Sequence, residues 1–436
     1  MNSSELKTRA SLFTVTGIEL EYMIVDRDSL AVRPIADRFF YDLADAPVNE
    51  YENGSIAWSN ELVNHVIELK CNGPAPALRD LSDRFAENIA TINTRLQAYN
   101  ARLMPTGAHP FMRPDTETRL WPNENNEIYE LYDRIFNCRG HGWSNLQSMH
   151  INLPFADDDE FGRLHAAVRL LLPILPALSA SSPLLEESWD SHHDARLRFY
   201  RTNQQRVPVI TGDLIPEQVF TEGDYHRHIF DPIRAAMTPL DPLGILEYEF
   251  LNSRGAIARF DRGAIEIRVL DTQECPRMDI SIALAGIAVL RWLTGHTRAD
   301  MDFHAPADVT LPAAPGYAIQ CDWTASDLLN IFEQIIRTGE DTIISNERFL
   351  NLFHFPAASG SARQLWRHIF TTIIHPLLKA PEQCALPVIL EHGSLSTRIK
   401  RSLSAHSLQH SHIVELYRQF ADCLATNRAY VPANTL

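Results

Sequence analysis

Residues 17–22 read GIELEY, with Glu19 and Glu21 two apart inside the otherwise apolar run FTVTGIELEYMIV. Val15, Ile24 and Val25 supply β-branched residues, so the run reads as a strand. Residues i and i+2 of a strand share a face, which sets the two carboxylates side by side. Such neighbours repel unless a cation lies between them or a proton is shared. Three further stretches repeat the theme. NELVNHVIELKC carries Glu61 and Glu68; QSMHINL places Ser148, His150 and Asn152 on one face; GAIEIRVLD places Glu266 and Arg268 on one face and Ile265, Ile267 and Val269 on the other. Glu61 and Glu68 are an odd number of residues apart, so one unbroken strand would oppose them. A bulge near Asn64-His65, or Glu61 in the preceding loop, would bring them together. An ordinary solvated sheet face would mix Lys, Thr, Arg and Ser with Glu. The charged groups singled out here are glutamates, one histidine and one arginine. Oxygen-rich clusters with a single imidazole suit Mg²⁺ or Mn²⁺ rather than Zn²⁺, and two such ions can bridge phosphate oxygens.

The rest of the chain narrows the chemistry. Its 436 residues are 45% apolar, enough for a large α/β or α+β enzyme with an appended region. A net charge of −16 argues against nucleic acid or an anionic membrane as partner. The start, MNSSELKTRA, lacks the apolar stretch of a signal peptide, and the longest apolar run, VRLLLPILPALSA, is short and holds two prolines. A cytoplasmic protein is expected. The six cysteines (71, 138, 275, 321, 384, 423) are scattered without a CxxC, which fits reduced thiols. Of 39 basic residues only Lys7, Lys70, Lys379 and Lys400 are lysines. That excludes a Walker A motif and a Schiff-base lysine in the central region. Phosphate would have to be met by arginine, metal ions or backbone N–H groups.

These residues need elements to hold them. Residues 77–103 show apolar spacing of three to four and predict a long amphipathic helix. RLMPTGAHPF predicts a short strand and a loop, and LQSMHINLPF a strand. Residues 160–185 predict a buried helical stretch kinked at Pro173 and Pro176. MDISIALAGIAVLRWLTG predicts an apolar helix. The mixed order implies an α+β fold, with an antiparallel or mixed sheet carrying helices on one face. Residues 1–300 are expected as the catalytic domain and 301–436 as a mostly helical extension, joined through the Pro/Ala-rich FHAPADVTLPAAPG.

Several of these stretches resemble one family, the type 2 glutamate–cysteine ligases and related carboxylate–amine ligases. GIELEYMIVD is similar to its first-strand signature, NELVNHVIELKCNGP to its second acidic segment, and RLMPTGAHPF to its strand ending in Gly-x-His-Pro. SMHINL resembles its histidine strand, LLPILPALSASSPL its long helix, and RFDRGAIEIRVLDTQECP its late Glu-x-Arg strand. The order and spacing agree from about residue 15 to 295, and the tail matches poorly. The resemblance implies a glutamine-synthetase-like domain whose curved, mainly antiparallel sheet binds ATP and Mg²⁺ (or Mn²⁺) in a funnel. It assigns Glu21, Glu61 and Glu68 to one ion, Glu19, His150 and Glu266 to a second, and Arg268 to the γ-phosphate and the transferring phosphoryl group.

The expected reaction activates a carboxylate, first of all the γ-carboxylate of glutamate, as an acyl phosphate that an amine such as cysteine attacks. That is a step in glutathione biosynthesis with small-molecule partners, and it leaves a homo-oligomer open. Arg196, Arg198 and Arg201 are candidates for a substrate carboxylate or ATP phosphates, with Arg201 foremost. The chain departs from the family nearby, reading Arg206-Val207-Pro208 where smaller members have Trp-Pro. Two alternatives stand beside the ligase: a phosphotransferase of the same superfamily, and a catalytically inactive nucleotide-binding regulator. Weaker candidates are Glu247 with Glu249, read as a strand pair, and His406, His410 and His412 in the tail.

Overall fold

Ile18, Leu20, Tyr22 and Ile24 alternate with Glu19, Glu21, Met23 and Val25, and the segment Gly17–Asp26 forms a strand, β1. The structure is a computed structural model describing residues 9–304, 310–381, 384–404 and 408–432. The other strands of the main sheet are β2 (Glu50–Asn53), β3 (Ile56–Asn60), β4 (Val66–Cys71), β5 (Ala101–Met104), β6 (Ser148–Pro154), β7 (Ala256–Arg259) and β8 (Ala264–Asp271). They run in the order β2-β3-β4-β1-β6-β8-β7, and each pairing is antiparallel. β5 pairs with Met23–Asp26 of β1, continuing the edge that β6 makes along Gly17–Leu20.

One face of the sheet is apolar. Ile18, Leu20, Tyr22, Ile67, Leu69, Met149, Ile151, Ile265 and Ile267 join one core with three helices: α1 (Leu81–Leu96), α2 (Asp158–Leu171) and α3 (Pro276–Leu293). α3 is apolar nearly all round and almost wholly buried, as a helix enclosed by neighbours must be. The predicted helix over 77–103 is shorter than expected. α1 closes through a 3₁₀ turn at Gln97–Tyr99, Asn100 takes a left-handed conformation (φ 51°), and β5 follows at once. Asn is one of the few residues that enters this region cheaply. The prolines interrupt α2 as expected. It ends at Leu171, and Leu172–Ile174 tighten into a 3₁₀ turn before a short helix at Pro176–Ser179.

The second face is divided. Its Glu19–Glu21 end is polar, whereas Met23, Val25 and Met104 lie under residues from α5 (Leu395–Ser404) and α6 (His410–Thr426): Leu395, Ile399, Leu403, Ile413, Tyr417 and Phe420. Helices therefore occupy part of both faces, where the sequence predicted one. Before them, α4 (Ala325–Thr338) opens with a Thr324–Asp327 capping box. The C-terminal region is tied to the sheet at depth: Arg398 pairs with Glu274, both fully buried, and Trp366 Nε1 donates to the Ile174 carbonyl at 2.8 Å. Residues 310–316 of the expected linker carry no regular element, and the Pro312 carbonyl accepts from Trp292 Nε1 at 2.7 Å. Among the described residues no helix is long and apolar enough to cross a membrane.

Candidate active site

Register decides which side chains meet. On β1, Glu19 lies opposite Lys70 of β4 on one side and His150 of β6 on the other; Glu21 lies opposite Glu68. Glu266 of β8 faces Asn152 of β6. Past that point the pairing shifts between Ile267 and Leu270, so β8 bulges at Arg268. A bulge re-aims a side chain. The Arg268 side chain keeps 25% of its surface exposed, and its Nε lies 3.1 Å from Glu266 Oε1. Glu61 is not in a strand; it sits in the connection between β3 and β4, the second of the two expected arrangements.

These groups line a cavity of about 1200 Å³ over the polar face of the sheet. Glu19, His150 and Glu266 each offer a ligand atom, all within 4.8 Å of one another, and this is the one such group among the described residues. Hydrogen bonds fix their orientation. Ser148 donates its backbone N–H (2.7 Å) and its hydroxyl (3.0 Å) to Glu21 Oε2, and Asn152 Nδ2 donates to Glu19 Oε1 at 3.0 Å. His150 Nε2 lies 2.9 Å from Ser148 Oγ and Nδ1 lies 2.9 Å from Glu19 Oε2.

Ser148 spends its one hydroxyl proton on Glu21, so its oxygen accepts from His150 Nε2–H. The other ring nitrogen, Nδ1, then faces Glu19 and, at 3.6 Å, Glu266. A bare lone pair between two carboxylates is repulsive, so a proton or a metal ion belongs there. The residues thus fit a hard divalent cation with carboxylate oxygens and one neutral imidazole.

The electrostatics agree. Burial, the largest influence, works against charge on His150, as does Arg268, but the hydrogen bond to Glu19 and the charges of Glu266 and Glu21 together prevail, and its pKa is raised. Burial would also lift Glu19, yet the hydrogen bond and charge of His150, with Arg268 and Lys70, bring it down to about 2. Glu68 is pushed up to about 7 by burial and by Glu19, with Lys70 and the Ser59 hydroxyl opposing. Burial and the carboxylates of Glu21 and Glu68 raise Glu61 well above the usual range. Burial alone would weaken Arg268 as a base; Tyr200 and the glutamates 266, 21 and 19 reverse that, and it stays a fixed cation.

Arg196 and Arg201 do not line the cavity. Arg196 is buried and paired with Asp271, whose other oxygen accepts from the Ser181 N–H and the Ser182 hydroxyl, each at 2.8 Å. Its Nη atoms lie 3.4 Å from the Arg268 carbonyl, so it braces the bulge from behind. Arg201 pairs with Glu333 of α4 at 2.5 Å, and Arg198 with Asp190 at 2.5 Å. Nothing in a sequence distinguishes an arginine reaching into a cleft from one matched to a distant aspartate. Glu247 and Glu249 do not form a strand pair: Glu247 caps the short helix Tyr248–Leu251 that contains Glu249. His410 lies 3.3 Å from Glu187 and against the ring of Phe111; His406 lies outside the described residues. The sequence reading passed over Lys70, Ser59 and Arg259. Ser59 Oγ donates to Glu68 Oε2 at 2.6 Å, and Lys70 and Arg259 line the cavity. Lys70 was legible, being two residues after Glu68 on the same strand.

Comparison with known proteins places the chain. The profile of glutamate–cysteine ligase family 2 (GCS2) matches residues 15–319. The fold is shared with a bifunctional glutathione synthetase from Pasteurella multocida (TM-score 0.50, 12% identity, covering 94% of this chain and 53% of that one). The chain is a mixed α/β protein of the carboxylate–amine ligase class, and it belongs to glutamate–cysteine ligase family 2. It is 36% identical over 275 residues to an uncharacterized protein of Archaeoglobus fulgidus, spanning 63% of this chain and 73% of that one. It is 26% identical over 285 residues to a putative glutamate–cysteine ligase 2 of Bradyrhizobium diazoefficiens, spanning 64% of this chain and 58% of that protein.

Proposed function

We propose that the protein is an ATP-dependent ligase that activates a carboxylate, with the γ-carboxylate of glutamate as first candidate, and joins it to an amine such as cysteine. The observation that carries this reading is the Glu19–His150–Glu266 group beside Arg268 at the floor of one cavity. The substrate carboxylate attacks the γ-phosphorus of ATP, the bond to ADP breaks, and an acyl phosphate forms. The amine then attacks the acyl carbon, loses a proton, and expels phosphate. Divalent cations held by Glu19, His150 and Glu266, and by Glu21, Glu61 and Glu68, would supply Lewis-acid and charge-neutralising power toward phosphoryl oxygens. Arg268 offsets negative charge on the group in transfer, since its cation is fixed and partly open to the cavity. Glu19 stays ionised across physiological pH, so its charge is always available. Asn152 and Ser148 hold the carboxylates in place through the hydrogen bonds given above.

The test is an ADP-release screen of carboxylates against amines, with mass spectrometry of the products. Amide formation coupled to ADP is the expected result. A phosphorylated product without an amide would point to a phosphotransferase instead. Nucleotide binding without turnover on any pair would point to a regulator.

A further inference from the structure

Lys70 is the one lysine between residues 8 and 378, and it stands on the floor of the cavity. Its ammonium lies 2.7 Å from Glu50 and 3.5 Å from Glu68, and register sets it directly opposite Glu19. Its partner across β3 is Ala57, small enough to let the side chain pass over it towards Glu50 of β2. The Lys70 side chain is 30% exposed, and that of Glu50 is 47% exposed. An ion pair this open contributes little to stability. Lys70 nevertheless sits where a cation has work to do. Along β1 the Glu19 level holds the metal-fitting group. Beyond it, towards Gly17 and the ends of β4, β6 and β7, the lining carries Arg9, Arg259 and Arg262 around Asp261, which pairs with the last two at 3.2 and 3.7 Å. A polyphosphate that runs from those arginines over the Glu19–His150–Glu266 group meets the Lys70 ammonium just beyond it, because β4 flanks β1 on the side away from β6 and β8.

We infer that Lys70 is a phosphate-contacting residue, parked on Glu50 in the nucleotide-free protein and turning from it to the polyphosphate of ATP. The ammonium swings about its four-carbon stem while Glu68 and Glu19 keep it near the site. Glu50 acts as a competitor for the ammonium. This assignment rests on the ATP-dependent reading above and adds a residue to it.

The experiment is calorimetric titration of a non-hydrolysable ATP analogue with Mg²⁺ into the wild-type chain, Lys70→Met, Lys70→Arg and Glu50→Gln, alongside Mn²⁺ titration of each followed by electron paramagnetic resonance. Lys70→Met should weaken analogue binding at least tenfold and raise the KM for ATP, while Lys70→Arg recovers most of the loss. Glu50→Gln should bind the analogue as tightly as wild type or more tightly. The resonance titration should show the same number of Mn²⁺ ions in Lys70→Met as in wild type. Unchanged analogue affinity in Lys70→Met overturns the inference, as does an equal loss in Glu50→Gln, because both results make the pair merely structural. A wild-type chain that binds no analogue overturns the ATP reading itself, a result distinct from a Lys70 variant that behaves normally.

Discussion

Glu19 and Arg268 are the residues whose loss should be felt most. Glu19→Gln and Arg268→Ala are expected to cut ADP release by about a hundredfold or more, the scale of losing one charge-stabilising group in a closed site. Steady-state ADP assays check this, with melting temperatures close to wild type showing that the fold survives. Ser148→Ala should act more gently. It frees the His150 ring to flip and removes a donor to Glu21, so Mn²⁺ affinity should fall about tenfold by resonance titration. The raised groups make a prediction about pH. Glu68 titrates near 7 in the folded chain and near about 4.3 unfolded, so its stabilising contribution is complete below about 4.3 and is lost as pH rises through 7. His150, also raised, adds loss in the same direction. With EDTA present the melting temperature should therefore drop between pH 5 and pH 8, and the stabilisation gained from Mg²⁺ should grow over that range. Differential scanning fluorimetry with and without Mg²⁺ reads both. Much of this constellation could be read from residue spacing, because i and i+2 on a strand share a face: Glu19 with Glu21, Ser148 with His150, Glu266 with Arg268. Arg196 and Arg201 are held by Asp271 and Glu333, partners remote in sequence that no local pattern could reveal.

At the level of elements, the strands were legible from alternation, and α2 and α3 from their apolar density. The connections were less so. The end of α1 depends on a left-handed Asn100, and the aim of Arg268 depends on a bulge that shows in no pattern of residues. The junction behind that bulge gives a test. Gly107, in the Gly-x-His-Pro stretch, lies so close to the Asp271 carboxylate that a Cβ there would collide with it, and its N–H donates to Ser181 Oγ at 2.7 Å. Gly107→Ala should disturb the Asp271–Arg196 pair and cost about 1–3 kcal/mol. It should also lower turnover, because Arg196 braces the Arg268 carbonyl. Urea denaturation and ADP assays on the same preparation separate the two effects.

Across the whole molecule, the C-terminal helices were foreseeable as helices but not as a cover for part of the second sheet face. Amphipathic spacing reveals an apolar stripe without naming what it docks on. Arg398 and Glu274 are the buried clasp between α5 and the stretch just after β8. Arg398→Ala would strand the Glu274 carboxylate, which also accepts from the Tyr430 N–H, and should cost about 3–5 kcal/mol in chemical denaturation. The division of that face has a further consequence for β1. Its outward row begins with two acids facing the cavity and ends with Met23 and Val25 sealed under α5 and α6. A slip of one residue would drown the acids in the core and, at the same stroke, expose the seat of the tail. The strand is thus indexed from both ends. Insertions and deletions should be purged from it and tolerated in the loops on either side, and a folded tail certifies that the acids are in place.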